Sequence, residues 1–452
     1  MKVLLVSLNR LAVPYPVYPL GLDHVAGALE PRHQPRILDL CRCPQGEERQ
    51  AIAEAVREFA PDAVGVSLRN IDNTDAAELR GFLAEMKAVV AAVKQATDAP
   101  VVLGGAGYTI FPGDLVEALG ADFGIIGEGE RMAELLAALE EERPVEGLPF
   151  VAVRGRPAAE PVPWDGTPRR SDPRLNPRLD HYLSRGGMLN LQTKRGCPFR
   201  CVYCTYPAIE GRQMRLFAPA EVAATARRLQ EAGAKYLFIT DSVFNAHPEQ
   251  SLEIGREFRK AGLTIPWGGY FSPRTVPEGY YRELVDCGLT HAEFGTDVLS
   301  EAMIARVGKS FTVAEALAAH RAAVEAGVHT AHFLLLGGPG ESPETVEETL
   351  DNCERLERTA LFFFCGMRIY PRTPLFDLAL KEGQIQPGQD LLEPVFYRPK
   401  SISFEQALER VSARAAGRHN WIVGSGGEKS ARLVARLHER GHVGPLWEHL
   451  VS

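Results

Sequence analysis

Short, continuously apolar runs alternate with helical patterns along the first 140 residues. KVLLVSL (2–8) reads as a strand and residues 20–30 as a helix. PRILDL (35–40), AVGVSL (63–68), PVVLGG (100–105) and DFGIIG (122–127) read as further strands. Helical patterns fall near 47–59, 76–96 and 113–119, and again from Glu130. Strands that are apolar throughout, alternating with helices, predict a parallel sheet covered on both faces. Ligands of such sheets bind beyond the C-terminal strand ends. The candidate lining is therefore Ser7–Arg10, Ser67–Asn70, Gly104–Tyr108 and Gly127–Glu130.

Residues 141–186 are rich in proline, arginine and glycine and read as a linker with one short hairpin. A second alternating series then starts. Its strands are MLNLQT (188–193), KYLFIT (235–240), IPWGGYF (265–271), HAEFG (291–295), TAHFLLL (330–336) and LFFFCGMRI (361–369). Six strand–helix units predict an incomplete (β/α) barrel, with chemistry at the C-terminal strand ends. Residues 375–452 form a smaller tail with helical patterns near 403–415 and 428–440 and a flexible GSGG at 424–427. The fold class is α/β: a Rossmann-like domain (1–140), a linker (141–186), a partial barrel (187–374) and a mainly helical C-terminal region (375–452).

Composition narrows the function. A chain of 452 residues with 45% hydrophobic and 24% charged residues is globular. A net charge of −8 with no long basic run argues against nucleic acid as the main partner. The N-terminal apolar run has strand length and is followed by prolines, so neither a signal peptide nor a transmembrane segment is expected. Eight cysteines in this length are not a disulfide framework, which fits a reducing cytoplasm.

Three of those cysteines, Cys197, Cys201 and Cys204, lie in RGCPFRCVYCTYP. Thiolate is the usual iron–sulfur ligand, and three of them leave one iron of a 4Fe–4S cube open for chemistry. A closed zinc site wants four ligands, commonly as two pairs, and no second Cys-x2-Cys or His pair occurs. The loop follows the first strand of the second series, at a C-terminal strand end. The other cysteines, Cys41, Cys43, Cys287, Cys353 and Cys365, read as small buried hydrophobes.

The loop resembles the signature of the radical S-adenosylmethionine superfamily, including the aromatic Tyr203 before the third cysteine. That resemblance implies that S-adenosylmethionine chelates the open iron. Further segments fall in register with it. Thr240-Asp241-Ser242 stands where the family has a Gly-Gly-Glu type motif holding the methionine amino group. Asp241 keeps the carboxylate, and a carboxylate beside an ammonium is a charge-assisted pair; Asp and Ser are equally good helix N-caps. HAEFGTDVLSEAMIARVGKSFT (291–312) resembles a stretch in which an acidic residue ends the fourth strand and a lysine follows. Glu293 is the candidate for contact with ribose hydroxyls or substrate, and Lys309 is either the counterpart of the family lysine or a helix-end cation. In LLLGGPGES (334–342), Gly337, Gly338 and Gly340 permit close backbone approach, and the family uses such a segment beside adenine.

The first domain carries its own resemblance. SLRNIDNT (67–74), VVLGGAGYTIFPGDL (101–115) and DFGIIGEGE (122–130) resemble the cobalamin-binding domains fused to radical enzymes. Ser67, Arg69, Asn70, Gly104, Gly105, Tyr108, Gly127 and Glu128 are the implied cobalamin contacts. A nucleotide is the rival ligand, weakened because no Gly-x-Gly-x-x-Gly follows the first strand. Many such domains ligate cobalt with the histidine of an Asp-x-His-x-x-Gly motif. The corresponding SLNRLAVPYP has no histidine, and His24-Val25-Ala26-Gly27 lies too far along. Cobalamin is therefore expected without a histidine ligand, with Arg69 under the cobalt face.

The chain is thus expected to be a cobalamin-dependent radical S-adenosylmethionine enzyme, a C-methyltransferase acting on an unactivated carbon of a small molecule, lipid or peptide. The resemblance implies a 5′-deoxyadenosyl radical, methyl delivery by methylcobalamin, and an external one-electron reductant such as flavodoxin or ferredoxin. Three other readings stand beside it. One is a cobalamin radical enzyme catalysing cyclisation or rearrangement. A second is a methylthiotransferase, which needs three further cysteines before the barrel where only Cys41 and Cys43 occur. The third is a non-catalytic corrinoid, iron–sulfur or electron-transfer protein. Trp267, Tyr270 and Phe271 at the third strand end either face substrate or fill the barrel.

Overall fold

The computed structural model describes residues 1–11, 15–160, 162–424, 433–434 and 436–451. The GSGG run beyond Gly424 and the start of the helical pattern at 428–440 lie outside the described residues. The chain forms two compact units. The first comprises Met1–Asn73, Arg80–Tyr182 and Thr205–Gly211; the second comprises Thr74–Leu79, Leu183–Cys204 and the chain from Arg212 on.

In the first unit, β1 (Lys2–Ser7), β2 (Gln34–Asp39), β3 (Ala63–Ser67), β4 (Val101–Gly104) and β5 (Phe123–Ile125) form a parallel sheet. β6 (Val151–Val153) adds antiparallel to β5 at the edge. The strand order is β2-β1-β3-β4-β5-β6. It reverses direction between β1 and β3, the switch point where ligands of doubly wound sheets bind. The register pairs Ser7 with Asp39 and with Ser67, and Ser67 with Gly104, so these residues share one rim. One face of the sheet is sealed by a core that includes Leu5, Leu22, Leu29, Leu135 and Phe150. The helix expected over 76–96 starts at Leu83, because an Asp72–Gly81 bridge holds the preceding stretch as a loop.

Much of the stretch read as a linker is integral to this unit. Fully buried Asp23 takes the guanidinium of Arg170 and the hydroxyl of Ser171. Tyr182 donates its hydroxyl to buried Asp39 at 2.6 Å. A buried carboxylate needs such partners, and the Pro- and Arg-rich composition of the segment hid them.

In the second unit, β7 (Met188–Leu191) is followed by a small antiparallel pair, β8 (Lys194–Arg195) with β9 (Arg215–Leu216). Next come β10 (Tyr236–Ile239), β11 (Trp267–Phe271), β12 (Leu289–Asp297), β13 (His329–Leu336), β14 (Thr359–Cys365) and β15 (Trp421–Val423). All but the small pair form one parallel sheet in the order β7-β10-β11-β12-β13-β14-β15. The seventh strand comes from the tail, where six strands were expected.

Side chains alternate across this sheet. Phe294, Leu334, Leu336, Leu361 and Phe363 are sealed on one face. Gly295, Phe333, Leu335, Phe362 and Phe364 point the other way, into the hollow of the open barrel, and keep part of their surface. Trp447, from the last short helix Leu446–Leu450, packs on Ala331 and Ala360 and closes the N-terminal end of that hollow.

Candidate active site

The cysteine loop leaves the C-terminal end of β7 by way of Thr193 and β8. Gly196 has φ +84°, a left-handed conformation that glycine adopts freely, and it turns the chain into Cys197. Three backbone bonds pin the loop: Val202 N–H to Val307 O at 3.0 Å, Leu375 N–H to Val202 O at 2.9 Å, and Cys204 N–H to Cys201 O at 3.2 Å. Gly308 lies so close that a Cβ there would sit 2.5 Å from the carbonyl of Arg200. Cys197 is buried, whereas Cys201 and Cys204 are half-buried.

An acidic residue that the sequence analysis overlooked stands beside this loop. β12 does not end near Glu293; it runs on to Asp297 through an irregularity between Gly295 and Asp297. Asp297 has φ +61°, which Asp tolerates better than most residues. Such irregularities re-aim side chains. Here the carboxylate takes both the Tyr203 hydroxyl and the Lys309 ammonium, the latter at 2.6 Å. Burial works against the Lys309 charge. It is the largest single effect, but Asp297, Cys201 and Cys204 together outweigh it, so the ammonium is held above its ordinary value. Lys309 is thus more than a helix-end cation. It faces the thiols and opposes the burial that pushes the Cys201 thiol up.

This donor set fits an iron–sulfur cluster. Among the described residues no three His, Cys, Asp or Glu side chains converge on a point that would hold one ion. A 4Fe–4S cube binds three thiolates through three different irons, so single-ion convergence is not what it requires.

The other predicted residues divide. Asp241 is fully buried, and both its oxygens are engaged, by the Thr193 amide at 2.7 Å and the Thr193 hydroxyl at 2.6 Å. Burial raises its pKa, and Lys194 opposes that shift. The Lys194 ammonium in turn donates to Gly196 O at 3.1 Å and to Ser242 Oγ at 2.9 Å. Asp241, Ser242 and Lys194 therefore clamp the base of the cysteine loop.

Glu293 sits within β12, not at its end. Its Oε1 accepts the Trp447 indole N–H at 2.9 Å. Burial pushes its carboxyl up to about 7, partly offset by that N–H. Gly337 and Gly338 are buried, and their amides donate to Glu341, the latter at 3.1 Å, so neither amide is turned to a ligand. Gly340 is exposed with φ +80°, packed over Arg306. Trp267 and Phe271 pack against Phe244 behind the sheet, which removes them from the hollow. Tyr270 faces the hollow and is 39% exposed.

At the rim of the first sheet, a cleft at the ends of β1 and β3 is lined by Leu8, Arg10, Leu68, Arg69, Asn70 and Phe82, among others. Gly105 has φ +101°, and a Cβ there would meet Leu68 O at 2.6 Å. Its freedom serves chain packing. Gly104 has nothing within 4 Å of a built Cβ and opens onto space. Gly127 donates its N–H to Thr109 Oγ1 at 3.0 Å, and buried Glu128 accepts from Trp164 N–H at 3.1 Å. Tyr108 lies on the short helix Ala106–Ile110 with its ring buried against Gly124. His24 is buried on the helix Leu20–Leu29, 3.8 Å from Glu130, and does not line the cleft. A cleft at the switch point is where a doubly wound sheet binds its ligand.

Comparison with known proteins agrees with this geometry. The B12 binding domain family matches residues 6–137, and the radical SAM superfamily matches residues 191–353. The tryptophan 2-C-methyltransferase of Streptomyces laurentii is 27% identical, over 79% of this chain and 71% of that protein. The radical S-adenosylmethionine methyltransferase TsrM of Kitasatospora setae, solved with a tryptophan substrate and a SAM analog, superposes with a TM-score of 0.88 at 25% identity, covering 99% of this chain and 97% of that one. The chain belongs to the cobalamin-dependent radical S-adenosylmethionine enzymes. It is an enzyme of the methyltransferase type, and its cofactors are a 4Fe–4S cluster, S-adenosylmethionine and cobalamin. The hopanoid C-3 methylase of Methylococcus capsulatus is a more distant relative, 26% identical over 54% of this chain and 46% of that protein. Among the described residues no helix is long and apolar enough to cross a membrane.

Proposed function

We propose that this enzyme methylates a carbon of a small molecule held in the hollow of the partial barrel. The observation that carries the proposal is the placement of the thiol loop at the C-terminal end of β7, in a chain whose other unit has an open cleft at its switch point. Cys197, Cys201 and Cys204 would hold the cluster; Arg69, Asn70, Ser67 and Gly104 would meet cobalamin. When bound, these groups and S-adenosylmethionine supply the electron and the methyl group, which is chemistry no side chain offers.

The protein's own residues position and shield. The Asp241–Thr193 and Lys194–Ser242 contacts fix the approach to Cys197. The Asp297–Lys309 pair fixes Tyr203 and sets a positive charge beside the thiols. The apolar walls of the hollow exclude water from the reacting carbon. A lipid or peptide substrate would have to enter through the same hollow. An external one-electron reductant of the flavodoxin or ferredoxin type completes the requirement, and eight cysteines that form no disulfide among the described residues fit a reducing cytoplasm.

The test uses anaerobically reconstituted enzyme, methyl-deuterated S-adenosylmethionine and candidate small molecules. Methylation adds the labelled methyl mass to one of them. Cyclisation or rearrangement consumes S-adenosylmethionine without that mass. A binding or electron-carrier protein does neither. The triple alanine variant of Cys197, Cys201 and Cys204 is expected to lose the cluster absorbance altogether; full cluster content in it overturns the site.

A further inference from the structure

The outer side of the cysteine loop carries arginines that the catalytic geometry leaves unused. Pro198 and Arg200 are exposed and Phe199 is half-buried, so the stretch between Cys197 and Cys201 reaches the surface. Exposed Arg212 donates from its guanidinium to Phe199 O at 3.3 Å. The Arg274 guanidinium lies over the Phe199 ring, 5.5 Å from its centroid. The loop itself, the chain before β9 and the chain after β11 thus each bring one cation to Phe199. Among the described residues no carboxylate pairs with Arg200 or Arg212. Exposed Asp377, on the neighbouring helix Pro374–Lys381, pairs with none of the three. Arg274 is partly offset by Glu315, whose carboxylate is taken up by the Thr312 amide and the Thr275 hydroxyl.

This local charge runs against that of the whole chain, which is −8. An acidic protein is repelled by the chain as a whole and attracted here, which fixes where and how it lands. Arginine and aromatic side chains are also the ones that protein interfaces favour. Two of the three guanidiniums are already held, one by a carbonyl and one by the ring, so little side-chain freedom is lost on docking. The place suits an electron as well. Phe199 stands two residues from Cys197 and two from Cys201, and two residues span at most about 7 Å.

We propose that Phe199, Arg200, Arg212 and Arg274 form the docking surface for an acidic one-electron carrier protein. The carrier loses one electron and the cluster on the cysteine loop gains it; no bond is made or broken in this step. The proposal rests on the radical methyltransferase reading for the need of that electron, and it gives the donor a place on the chain.

The test measures, by calorimetry on anaerobically reconstituted enzyme, the binding of two acidic carriers, a flavodoxin and a 2Fe–2S ferredoxin. At least one is expected to bind, with affinity falling at least about tenfold between about 0.05 and about 0.5 M salt. Arg212→Glu with Arg274→Glu, both outside the cysteine loop, should weaken binding at least about tenfold. Arg212→Lys with Arg274→Lys keeps the charge and should stay within about threefold of the native affinity. The same charge reversal at the exposed end of the helix Pro248–Lys260, Arg259→Glu with Lys260→Glu, should leave binding within about twofold. Reduction of the cluster by the carrier should slow in the Arg212→Glu, Arg274→Glu variant, while reduction by dithionite, which needs no docking, stays native. If that variant takes up no cluster, Arg274→Glu alone carries the test, with an expected loss of at least about threefold. Equal binding by native and charge-reversed enzyme overturns the proposal. So do affinities that ignore salt, the failure of both carriers to bind, and tighter binding of a single-stranded RNA than of either carrier. A carrier that binds and reduces the cluster while S-adenosylmethionine transfers no labelled methyl group overturns the methyltransferase reading and leaves the docking surface standing.

Discussion

Lys309 donates to Asp297 at 2.6 Å, on the same carboxylate oxygen that accepts the hydroxyl of Tyr203. The pair ties the end of β12 to the aromatic residue inside the cysteine loop, and both members are nearly inaccessible, at 8% and 11% for their side chains. Removing one partner of a buried pair leaves a bare charge and costs about 3–5 kcal/mol. Asp297→Ala is therefore expected to lower stability by that amount and to reduce iron bound per chain. Replacing both residues, Asp297→Asn with Lys309→Met, should restore most of the stability, since no unpaired charge remains. A loss below about 1 kcal/mol in the single variant, the range of an exposed pair, would show the contact to be dispensable.

Asp241 is expected to act on cluster assembly before it acts on S-adenosylmethionine. Asp241→Ala strips acceptors from the Thr193 amide and hydroxyl and leaves buried Lys194 without its counter-charge. Each buried group left unsatisfied costs about 1–3 kcal/mol. A loss of 2 kcal/mol in a unit of this size shifts Tm by roughly 4–8 °C. Cluster content after reconstitution should fall with it. If cluster content and Tm are both native while S-adenosylmethionine affinity drops, the carboxylate contacts the ligand directly and the clamp is secondary.

The alternation of apolar strands and helices was legible along both units, because a parallel sheet buried on both faces leaves uninterrupted apolar runs. The cysteine loop was legible because ligand spacing is local. What escaped were relationships between distant segments. Asp297 was missed because Gly295 and Thr296 break the apolar run two residues before the strand ends. The contact of Trp447 with Glu293 spans 154 positions. The seventh strand is only three residues, Trp421–Val423, and takes its identity from pairing with Leu361, Phe362 and Phe363. Arg170 and Ser171 looked like linker residues because nothing nearby announces the buried Asp23.

Glu341 predicts a pH dependence. Burial pushes its carboxyl up to about 7 against an ordinary 4.5, although the Gly337 and Gly338 amides pull the other way. The folded form therefore holds a proton that the unfolded form has released between these values. Stability from this group is present below the unfolded pKa and is lost as pH rises through 7. The shift is worth about 3 kcal/mol at one pKa unit per 1.36 kcal/mol. Glu341→Gln keeps an acceptor for the two amides and cannot ionise. Its stability relative to the native chain should climb by about 2.5 kcal/mol between pH 5 and pH 8, by denaturant unfolding. A difference that stays flat across that range would show that the group ionises in the folded state as freely as in water.

The last prediction concerns the lower face of the cobalt. Arg69 and Asn70 line the cleft at the ends of β1 and β3, and among the described residues no histidine lines it with them. The nearest motif-like histidine, His24, is 5% exposed on a core helix and pairs with Glu130. A guanidinium stays protonated and has no lone pair to give a metal. Cobalamin bound here should lack a protein imidazole ligand. Electron paramagnetic resonance of the cobalt(II) state should show no nitrogen superhyperfine splitting traceable to the protein. Arg69→His supplies the contrast, because an imidazole at that position can ligate and should introduce the splitting. Splitting in the native protein that disappears on uniform nitrogen-15 histidine labelling, replaced by the nitrogen-15 pattern, would refute the assignment. Native spectra free of splitting, with Arg69→His equally free of it, would leave the imidazole-free face in place and move Arg69 away from the cobalt.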